Sequence, residues 1–311
     1  MTQCKSTTTK ICPICSTENL QLSKYNLYKC LDCKLLIATQ IWSDDINQLN
    51  DEYFGEDYGN RISSFWVKLF EFLNNRRNIS RLKKLLPHKG QILEVGVGSG
   101  SLLMLAKKKG YEVMGCDLSE AICHAVSTDT NIEMYCGSIE ELRNKKKIDL
   151  IIMLHVIEHV QNPIMFLKHA KDLLSPGGKI LMACPNVGCW EALLPGWNSY
   201  EPYHLTYFNP KTVKKLVEIV GFSKAKIYTH DSFSGGFLAI LRTILGVRLE
   251  SHASLRISCN HKIKKPLSVI SRILEHGYRI SMIFFGLLTF PIREAADFFG
   301  YGDEVVCEVE L

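Results

Sequence analysis

The sequence predicts an α/β protein built on a doubly wound, largely parallel sheet. The first observation is a short apolar run, Ile92, Leu93 and Val95, which is typical of a buried parallel strand. A glycine-rich turn, a helical pattern and a second strand at 112–116 follow, and Asp117 stands at the end of that strand. Strand, glycine turn, helix, strand and acid form the nucleoside-binding half of a doubly wound sheet. Further apolar runs then alternate with helical patterns, as parallel sheets require.

The glycine turn narrows the class of ligand. Three glycines recur at two-residue spacing, which lets the backbone turn sharply and approach a ligand: Gly96, Gly98 and Gly100. In a dinucleotide fingerprint the third glycine would stand at Ser101. Glu94 precedes the first glycine by two residues, and the pattern E-x-G-x-G-x-G resembles motif I of the class I S-adenosylmethionine-dependent methyltransferases. The resemblance implies that Glu94 and the glycines hold the methionine part of the cofactor and that Asp117 binds the ribose hydroxyls. A turn that binds nothing and a degenerate NAD site are the alternatives.

Composition favours an ordinary enzyme in a reducing compartment. The chain has 311 residues, of which 46% are hydrophobic and 22% charged, enough for a full core and one or two small appendages. The net charge of +5 is too mild to indicate a nucleic-acid binder. The first residues lack the apolar segment of a secretory signal, and eight of the twelve cysteines are scattered as buried thiols would be. We therefore expect a cytoplasmic location.

Residues 1–45 predict a zinc ribbon. Two C-x-x-C knuckles are separated by fourteen residues, and their sulfurs can surround Zn²⁺ tetrahedrally: Cys12, Cys15, Cys30 and Cys33. Four protein ligands leave no open position, so the predicted role is structural. A redox role is disfavoured because no thioredoxin-like elements surround the knuckles. Residues 1–50 carry five lysines, no arginine and four acids, a poor footprint for nucleic acid.

Residues 46–88 are interpreted as a linker followed by helical sequence. Zinc-ribbon methyltransferases of glycan and natural-product pathways have a similar aromatic stretch here, which implies a cover for the cofactor by Tyr53, Phe54 and Tyr58. Packing of these aromatics on the core is the alternative. Apolar spacing predicts a helix from 63 to 86. Its basic residues are predicted to form a solvated surface: Arg76, Arg77, Arg81, Lys83 and Lys84.

The next elements continue the alternation. Ser119 is predicted to cap a helix, and 132–136 reads as a third strand. Members of the resembled family commonly carry an aspartate after this strand, where it receives the adenine amino group. Ser138 occupies that place in this sequence. A hydroxyl accepts that hydrogen bond more weakly than a carboxylate, so the departure affects the predicted adenine contact rather than the fold.

A cluster of ionisable residues follows the fourth predicted strand, 149–154. His155, Glu158 and His159 stand at its carboxyl end, where open α/β sheets bind their ligands. Asn162 and Pro163 then predict a helix start. The order H-V-I-E-H-V, N-P, L-x-P-G-G and P-N resembles the Methyltransferase domain 23 group over residues 91–228.

Methyl transfer requires alignment of the nucleophile and, for a hydroxyl or carbon acid, removal of a proton. The candidates at the predicted ligand edge are His155, Glu158, His159 and His204, with His230 and Asp231 as weaker ones. We predict His159 as the base, held neutral by the N-terminus of the following helix, with Glu158 orienting it or acting itself. Alternatively Glu158 caps a helix and His159 packs under the cofactor.

A metal-assisted site is a second interpretation. Small-RNA 3′-end and ubiquinone-pathway O-methyltransferases carry E-x-x-E-H at this place and a later histidine, which together bind a divalent metal. In this sequence His155 replaces the first glutamate, and His204 is the candidate for the later ligand. One carboxylate and three imidazoles would favour a transition metal over Mg²⁺.

The remaining sequence completes the predicted sheet. The long aromatic segment 188–209 should cover the substrate side, and strand six is predicted at 225–229. The segment 304–311 is β-rich, and the resemblance implies a seventh strand antiparallel to the sixth. The predicted fold is thus a Rossmann-like methyltransferase core, 89–234 with 301–311, interrupted by a helical insertion, 235–300. The apolar window 280–292 is too short to span a bilayer, although an amphipathic surface that reaches a lipid-linked substrate is an alternative to a cap.

The leading functional hypothesis is an S-adenosylmethionine-dependent methyltransferase that acts on a small-molecule or sugar/glycan-type acceptor. The acceptor class comes only from the resemblance. The alternatives are an RNA methyltransferase that holds RNA with its ribbon, which the balanced charge of the ribbon disfavours, and an inactive cofactor-binding module. Oligomeric state does not follow from the sequence.

Overall fold

The computed structural model describes residues 10–23, 26–42, 65–142, 147–194, 197, 199–200, 203–230 and 288–311. The strands are β1 (Leu20–Leu22), β2 (Leu27–Cys30), β3 (Leu36–Ala38), β4 (Gln91–Val95), β5 (Glu112–Asp117), β6 (Glu133–Cys136), β7 (Ile148–Leu154), β8 (Leu174–Pro185), β9 (Thr206–Tyr207), β10 (Lys224–His230) and β11 (Glu304–Glu310). The α-helices are α1 (Phe65–Leu85), α2 (Ser101–Lys108), α3 (Glu120–Thr130), α4 (Pro163–Leu173), α5 (Pro210–Val220) and α6 (Phe290–Phe298).

The main sheet has seven strands in the order β10-β11-β8-β7-β4-β5-β6. The five strands from β8 to β6 are parallel, and β11 runs antiparallel to both of its neighbours. The predicted sheet with an antiparallel seventh strand is therefore confirmed. Because the carboxyl ends of the parallel strands meet at one edge, the turns after β4, β5, β7 and β8 lie side by side there.

The centre of the sheet is covered on both faces. Ile151 and Ile152 are fully or almost fully buried but belong to different apolar clusters, because neighbouring side chains of a strand point to opposite faces. One cluster includes Leu82 of α1 and Leu102 of α2. The other includes side chains of α4, α5 and the ribbon. Burial on both faces explains why β7 reads as a continuous apolar run.

Polar caps fix the helix starts as the sequence indicates. The Ser119 hydroxyl accepts from the amide of Ile122, and the Asn162 side chain accepts from the amide of Met165. At the end of α5, Gly221 adopts a left-handed φ of +82°. These three ends depend on neighbouring residues only, which is why sequence patterns locate them.

The segment Ser-Pro-Gly-Gly, 175–178, has the composition of a turn that precedes a strand at 179–184, but that boundary is wrong because β8 begins at Leu174 and contains the segment. The pairing with β7 shifts from Ile148↔Leu174 to Leu150↔Lys179, so the extra residues form an irregularity inside the strand.

The ribbon is joined to the core by a strand that the sequence did not reveal. β1, β2 and β3 form an antiparallel sheet, and β9 from the aromatic segment is its fourth strand. The long aromatic segment 188–209 thus contains β9 and a short 3₁₀ helix, Trp190–Leu193.

Several predictions lie outside the described residues: Tyr53, Phe54, Tyr58, Asp231 and most of the insertion 235–300. Of that insertion, the structure describes 288–300, which contains α6. Within the described parts of the chain, no helix is both long and apolar enough to cross a membrane.

Candidate active site

The glycine turn after β4 needs each of its three glycines. Gly96, Gly98 and Gly100 all have positive φ, between 56° and 72°. A Cβ at Gly96 would lie 2.6 Å from Val156 Cγ2, and one at Gly100 would lie 2.8 Å from Val126 Cγ1. A Cβ at Gly98 would meet nothing within 4 Å. Gly96 and Gly100 therefore allow close packing against valine side chains, whereas Gly98 leaves open space beside the turn.

Asp117 ties this turn to the end of β5. Its Oδ2 accepts from the amide of Val97 at 2.9 Å, and its Oδ1 accepts from the amide of Ser119 at 3.0 Å. The residue is only 8% exposed, and burial raises the pKa of its carboxyl, although the backbone amides oppose that shift. Each carboxylate oxygen has a second lone pair, so the group can still accept from a ligand.

Two neighbouring cavities open at this edge of the sheet. The larger, about 340 Å³, is within the range of small-molecule sites. The residues that line it include most of those predicted from the sequence to bind the cofactor or to act in catalysis: Gly96, Gly98, Asp117, Ser138, His155 and His159. The smaller, about 220 Å³, is bordered by Glu94 and by polar residues of α1. Both cavities contact Gly98, Leu154 and His155, so they meet at the end of β7.

Two arginines of α1 belong to the site, contrary to the sequence prediction of a solvated basic face. Arg77 and Arg81 line the smaller cavity together with Glu94. Arg77 donates to Nε2 of His230 at 2.6 Å, and Nδ1 of His230 lies 3.5 Å from Asp297 Oδ2. The basic run of this helix does not indicate which side faces the sheet, so no local signal could have separated these arginines from their exposed neighbour Arg76.

His155 lies between two carboxylates. Its Nε2 is 2.9 Å from Glu304 Oε1, and its Nδ1 is 3.4 Å from Glu158 Oε1. The two neighbouring carboxylates favour the imidazolium and raise the pKa of His155 well above its usual value. The residue adopts a left-handed φ of +56°, which is uncommon for a residue with a Cβ and characteristic of functional turns.

His159 also lines the larger cavity, and unlike that of His155 its pKa is lowered. Its Nδ1 donates to the carbonyl of Tyr203 at 3.1 Å, so a neutral ring carries its lone pair on Nε2. Burial lowers the pKa of His159, the charge of Glu158 opposes that shift, and the charge of His155 reinforces it. The neutral state matches the prediction, but its main cause is burial rather than the helix N-terminus.

Glu158 and His204 lie behind this histidine. His204 packs its ring against that of His159 with 4.8 Å between centroids, and its Nδ1 donates to the carbonyl of Ser199 at 2.8 Å. Burial lowers the pKa of His204 to about 4. Burial alone would raise the pKa of Glu158, but the contact with His155 and the charges of the surrounding imidazoles lower it to about 2.

The structure therefore brings all four predicted ionisable residues together, but only two of them line the larger cavity. His155 and His159 line the larger cavity, whereas Glu158 is 1% exposed and His204 8%. Neither carboxylate oxygen of Glu158 accepts a hydrogen bond from any residue that the structure describes, so helix capping does not explain this glutamate. One ligand atom each of Glu158, His159 and His204 lie within 4.8 Å of one another.

Ser138 borders the larger cavity at the predicted adenine position. Its hydroxyl donates to Glu140 Oε2 at 3.2 Å and accepts from the amide of Glu140 at 3.3 Å. The hydroxyl is thus fixed by the turn that carries it. A hydroxyl oxygen has two lone pairs, so a second donor can still reach it.

The four ribbon cysteines converge as their spacing predicts. All four sulfurs lie within 4.8 Å of one another, with Cys12 and Cys33 3.5 Å apart and Cys15 and Cys30 3.4 Å apart. Tetrahedral Zn²⁺ with bonds of about 2.3 Å would place its sulfurs roughly 3.8 Å apart. Both knuckles are followed by a residue of left-handed φ, Ser16 and Lys34, so they turn in the same way. The donor set and its geometry fit a tetrahedral ion.

A family model described as a methyltransferase domain matches residues 66–227, just over half of the chain. The chain is 31% identical over 121 residues to a ubiquinone biosynthesis O-methyltransferase of Coxiella burnetii, a match that covers 37% of this chain and 52% of that protein. A protein of the same name from Idiomarina loihiensis is 33% identical over 103 residues, covering 31% of this chain and 42% of that one. The matches thus span about half the length of these curated relatives.

A solved structure shares the fold. A phosphoethanolamine N-methyltransferase 2 of Haemonchus contortus, in complex with S-adenosyl-L-methionine, superimposes with a TM-score of 0.50 at 16% identity. The superposition covers 81% of this chain and 59% of that one.

Proposed function

Because this chain belongs to the methyltransferase domain family, we propose that it transfers a methyl group from S-adenosylmethionine to a hydroxyl of a small-molecule acceptor. The observation that carries the proposal is the larger cavity, which is lined by residues of the glycine turn, by Asp117 and by His159. The residues proposed to bind the cofactor and the imidazole proposed as the base therefore border one cavity.

The residues present fit the cofactor. Asp117 and Gly98 border the larger cavity, where a buried carboxylate suits ribose hydroxyls and the missing Cβ leaves room for a ligand. Ser138 is the acceptor for the adenine end. Glu94 and Arg77 in the smaller cavity offer opposite charges, which suits the ammonium and carboxylate groups of an amino acid. The cofactor supplies a methyl group that is activated by the positive charge of its sulfonium.

His159 is proposed to remove the proton of the acceptor hydroxyl. Nδ1 is held by the Tyr203 carbonyl, so Nε2 receives the proton. Glu158, ionised because its pKa is lowered to about 2, then stabilises the imidazolium from the buried side. A positioned general base contributes typically ~10²–10⁴-fold to rate.

Hydroxyl acceptors are proposed because the curated relatives are named O-methyltransferases of ubiquinone biosynthesis. A sugar or glycan hydroxyl is compatible with the same base and stays a prediction from the sequence resemblance. RNA is disfavoured by the net charge of +5 and by the arginine-free ribbon. We retain the cytoplasmic location, and peripheral contact with a membrane, as predictions.

A metal-assisted variant has a specific observation in its favour. Glu158, His159 and His204 place one ligand atom each within 4.8 Å, and both histidines donate Nδ1–H to backbone carbonyls, as metal-binding histidines commonly do. His155, which contacts both Glu304 and Glu158, is not part of this group of ligand atoms, so the predicted four-residue set reduces to three. A divalent ion held there would supply a Lewis acid for the acceptor hydroxyl.

We propose that the ribbon holds one structural Zn²⁺ through Cys12, Cys15, Cys30 and Cys33. The sulfur separations of 3.4 and 3.5 Å are too long for a disulfide, whose sulfurs lie about 2.05 Å apart, and close to those of a tetrahedral site.

The decisive experiment measures methyl transfer from radiolabelled S-adenosylmethionine to phenolic hydroxyls, glycan hydroxyls and RNA. We expect a hydroxylated small molecule to be labelled and His159→Ala to lower turnover at least a hundredfold with unchanged cofactor affinity. The matched control is His88→Ala, an exposed histidine that precedes β4 at the opposite edge of the sheet.

Turnover within fivefold of wild type in His159→Ala, together with reduced stability, would reduce this histidine to a packing role. Activity that disappears after EDTA treatment and returns with Mn²⁺ but not Zn²⁺ would favour the metal-assisted variant. Labelling of RNA alone would reject the small-molecule proposal.

A further inference from the structure

The ribbon meets the ligand edge of the main sheet through one short strand. β3 pairs antiparallel with β9, matching Leu36 with Tyr207 and Ile37 with Thr206. The amide of Ala38 donates to the carbonyl of Leu205 at 2.9 Å, which extends the same ladder. The edge of the ribbon is therefore bonded to residues 205–207, which lie more than 160 positions later in the chain.

The same segment holds the proposed base on its other side. The Tyr203 carbonyl accepts from His159 Nδ1 at 3.1 Å, and the Leu205 amide donates to the Glu158 carbonyl at 2.8 Å. His204 contacts the ring of His159 directly. Residues 203–207 thus lie between the ribbon and the segment 155–159, here called the catalytic turn because it carries the proposed base, and they contact both.

Other contacts join the ribbon to the catalytic turn without this segment. The side-chain amide of Gln161, two residues after His159, donates to the carbonyl of Ile41 at 3.0 Å. Leu35 and Ile37 of the ribbon are fully buried in the cluster that also contains Ile157 of the catalytic turn. The ribbon is consequently packed against this part of the core rather than tethered to it.

The ribbon contains little regular secondary structure. Its strands β1, β2 and β3 are three or four residues long. Such short strands form few hydrogen bonds of their own, and many small zinc-binding domains fold only when their metal binds. The edge that β9 pairs with is therefore expected to depend on the four-cysteine metal site.

We propose that the metal-loaded ribbon is a positioning element for His159, acting through residues 203–207. Without the metal, β9 loses its partner, and the Tyr203 carbonyl no longer orients the imidazole. A displacement of 1 Å near the reacting groups can cost about 10²-fold in rate. Gly98, in the turn after β4, and Asp117, the last residue of β5, belong to elements that the ribbon strands do not pair with, so binding of the cofactor should be preserved. The inference rests on the proposed methyl transfer and the proposed zinc site.

The test compares the full chain before and after removal of the ribbon metal with a chelator. Hydrogen exchange is followed at residues 205–207 and at 92–95, and S-adenosylhomocysteine affinity and turnover are measured on the same samples. We expect exchange at 205–207 to accelerate at least tenfold, exchange at 92–95 to stay unchanged, turnover to fall at least tenfold, and affinity to stay within twofold. Zinc, added back, should restore all four. Unchanged protection at 205–207 in metal-free protein would overturn the inference.

Gln161→Ala provides the second variant, because it removes the bond to Ile41, three residues after β3, and so loosens the strand that pairs with β9 while leaving the cysteines intact. We expect full zinc content, at least threefold faster exchange at 205–207 and at least threefold lower turnover. The control is Asn19→Ala, which removes a hydrogen bond to Asp32 inside the ribbon. If chelation unfolds the whole chain, wild-type exchange in Gln161→Ala overturns the inference. The exchange results do not depend on an acceptor, so failure to find methyl transfer would reject the proposed function separately.

Discussion

Replacement of Asp117 tests the part of the site on which the functional assignment depends most. The carboxylate accepts from the amides of Val97 and Ser119 at 2.9 and 3.0 Å, and the bond to Val97 is buried. Asp117→Ala leaves both amides without this acceptor. A buried donor that loses its partner costs about 1–3 kcal/mol, and the amide at the start of α3 adds less because water can reach it. We expect Asp117→Ala to lower the free energy of unfolding by roughly 2–4 kcal/mol and to weaken cofactor binding at least tenfold.

Asp117→Asn separates the two roles of this carboxylate. The amide oxygen can replace one of the two accepted hydrogen bonds, so we expect about half of the stability loss. The negative charge is gone, so cofactor affinity should still fall. Urea unfolding and calorimetric titration with S-adenosylhomocysteine measure the two quantities. Glu112→Ala, an exposed position at the other end of β5, is the control.

The proposal fails in two distinguishable ways. Cofactor affinity within twofold of wild type in both variants would reject Asp117 as a ligand of the cofactor. Unfolding free energy within 0.5 kcal/mol of wild type in Asp117→Ala would instead refute the hydrogen-bond argument, since a buried amide would then have lost its acceptor at a cost below the usual range of about 1–3 kcal/mol.

Three further predictions concern other parts of the molecule. The pKa of His204 is lowered to about 4 in the folded chain, so between pH 4 and about 6.5 only the unfolded chain binds this proton. The free energy of unfolding should therefore rise with pH across that window, by roughly 3 kcal/mol. His204→Asn should flatten this rise in a series of urea titrations. Arg77→Met should weaken cofactor binding about tenfold by removal of a charge-assisted bond, whereas Arg76→Met, at an exposed neighbour, should not; equal affinities in calorimetry would contradict this. Elemental analysis should find one zinc per chain, lost in the double variant Cys30→Ser, Cys33→Ser while cofactor affinity is retained; metal-free protein purified under reducing conditions would reject the ribbon site.

The end of β7 links the ionisable groups to the last strand of the chain. Glu304 at the start of β11 contacts His155, and β11 is paired along its whole length with both β8 and β10. His155 is thus held by a residue 149 positions later, in a strand whose place in the sheet is fixed by two neighbours. His155 therefore bridges Glu304 and Glu158, and this contact ties the start of β11 to the group of Glu158, His159 and His204.

The amino-acid sequence by itself determined the features that depend on short stretches of chain. The run from Gln91 to Asp117 specifies strand, glycine turn, helix and strand because each step is set by neighbouring residues, and the structure places them as predicted. The caps at Ser119 and Asn162 are likewise local. The convergence of the ribbon cysteines follows from knuckle geometry and spacing.

Only the tertiary structure decided what depends on the orientation of one element against another. Whether Arg77 faces solvent or the smaller cavity depends on which side of α1 packs on the sheet, and the basic residues of the helix are spread too widely to indicate that side. The pairing of β3 with β9 joins segments that are far apart in the chain. Because β9 has only two residues, Thr206 and Tyr207, it is too short for a periodic pattern that would predict a strand. The lowered pKa values of His159 and His204 come mainly from burial, and burial is a property of the packed chain rather than of any stretch of it.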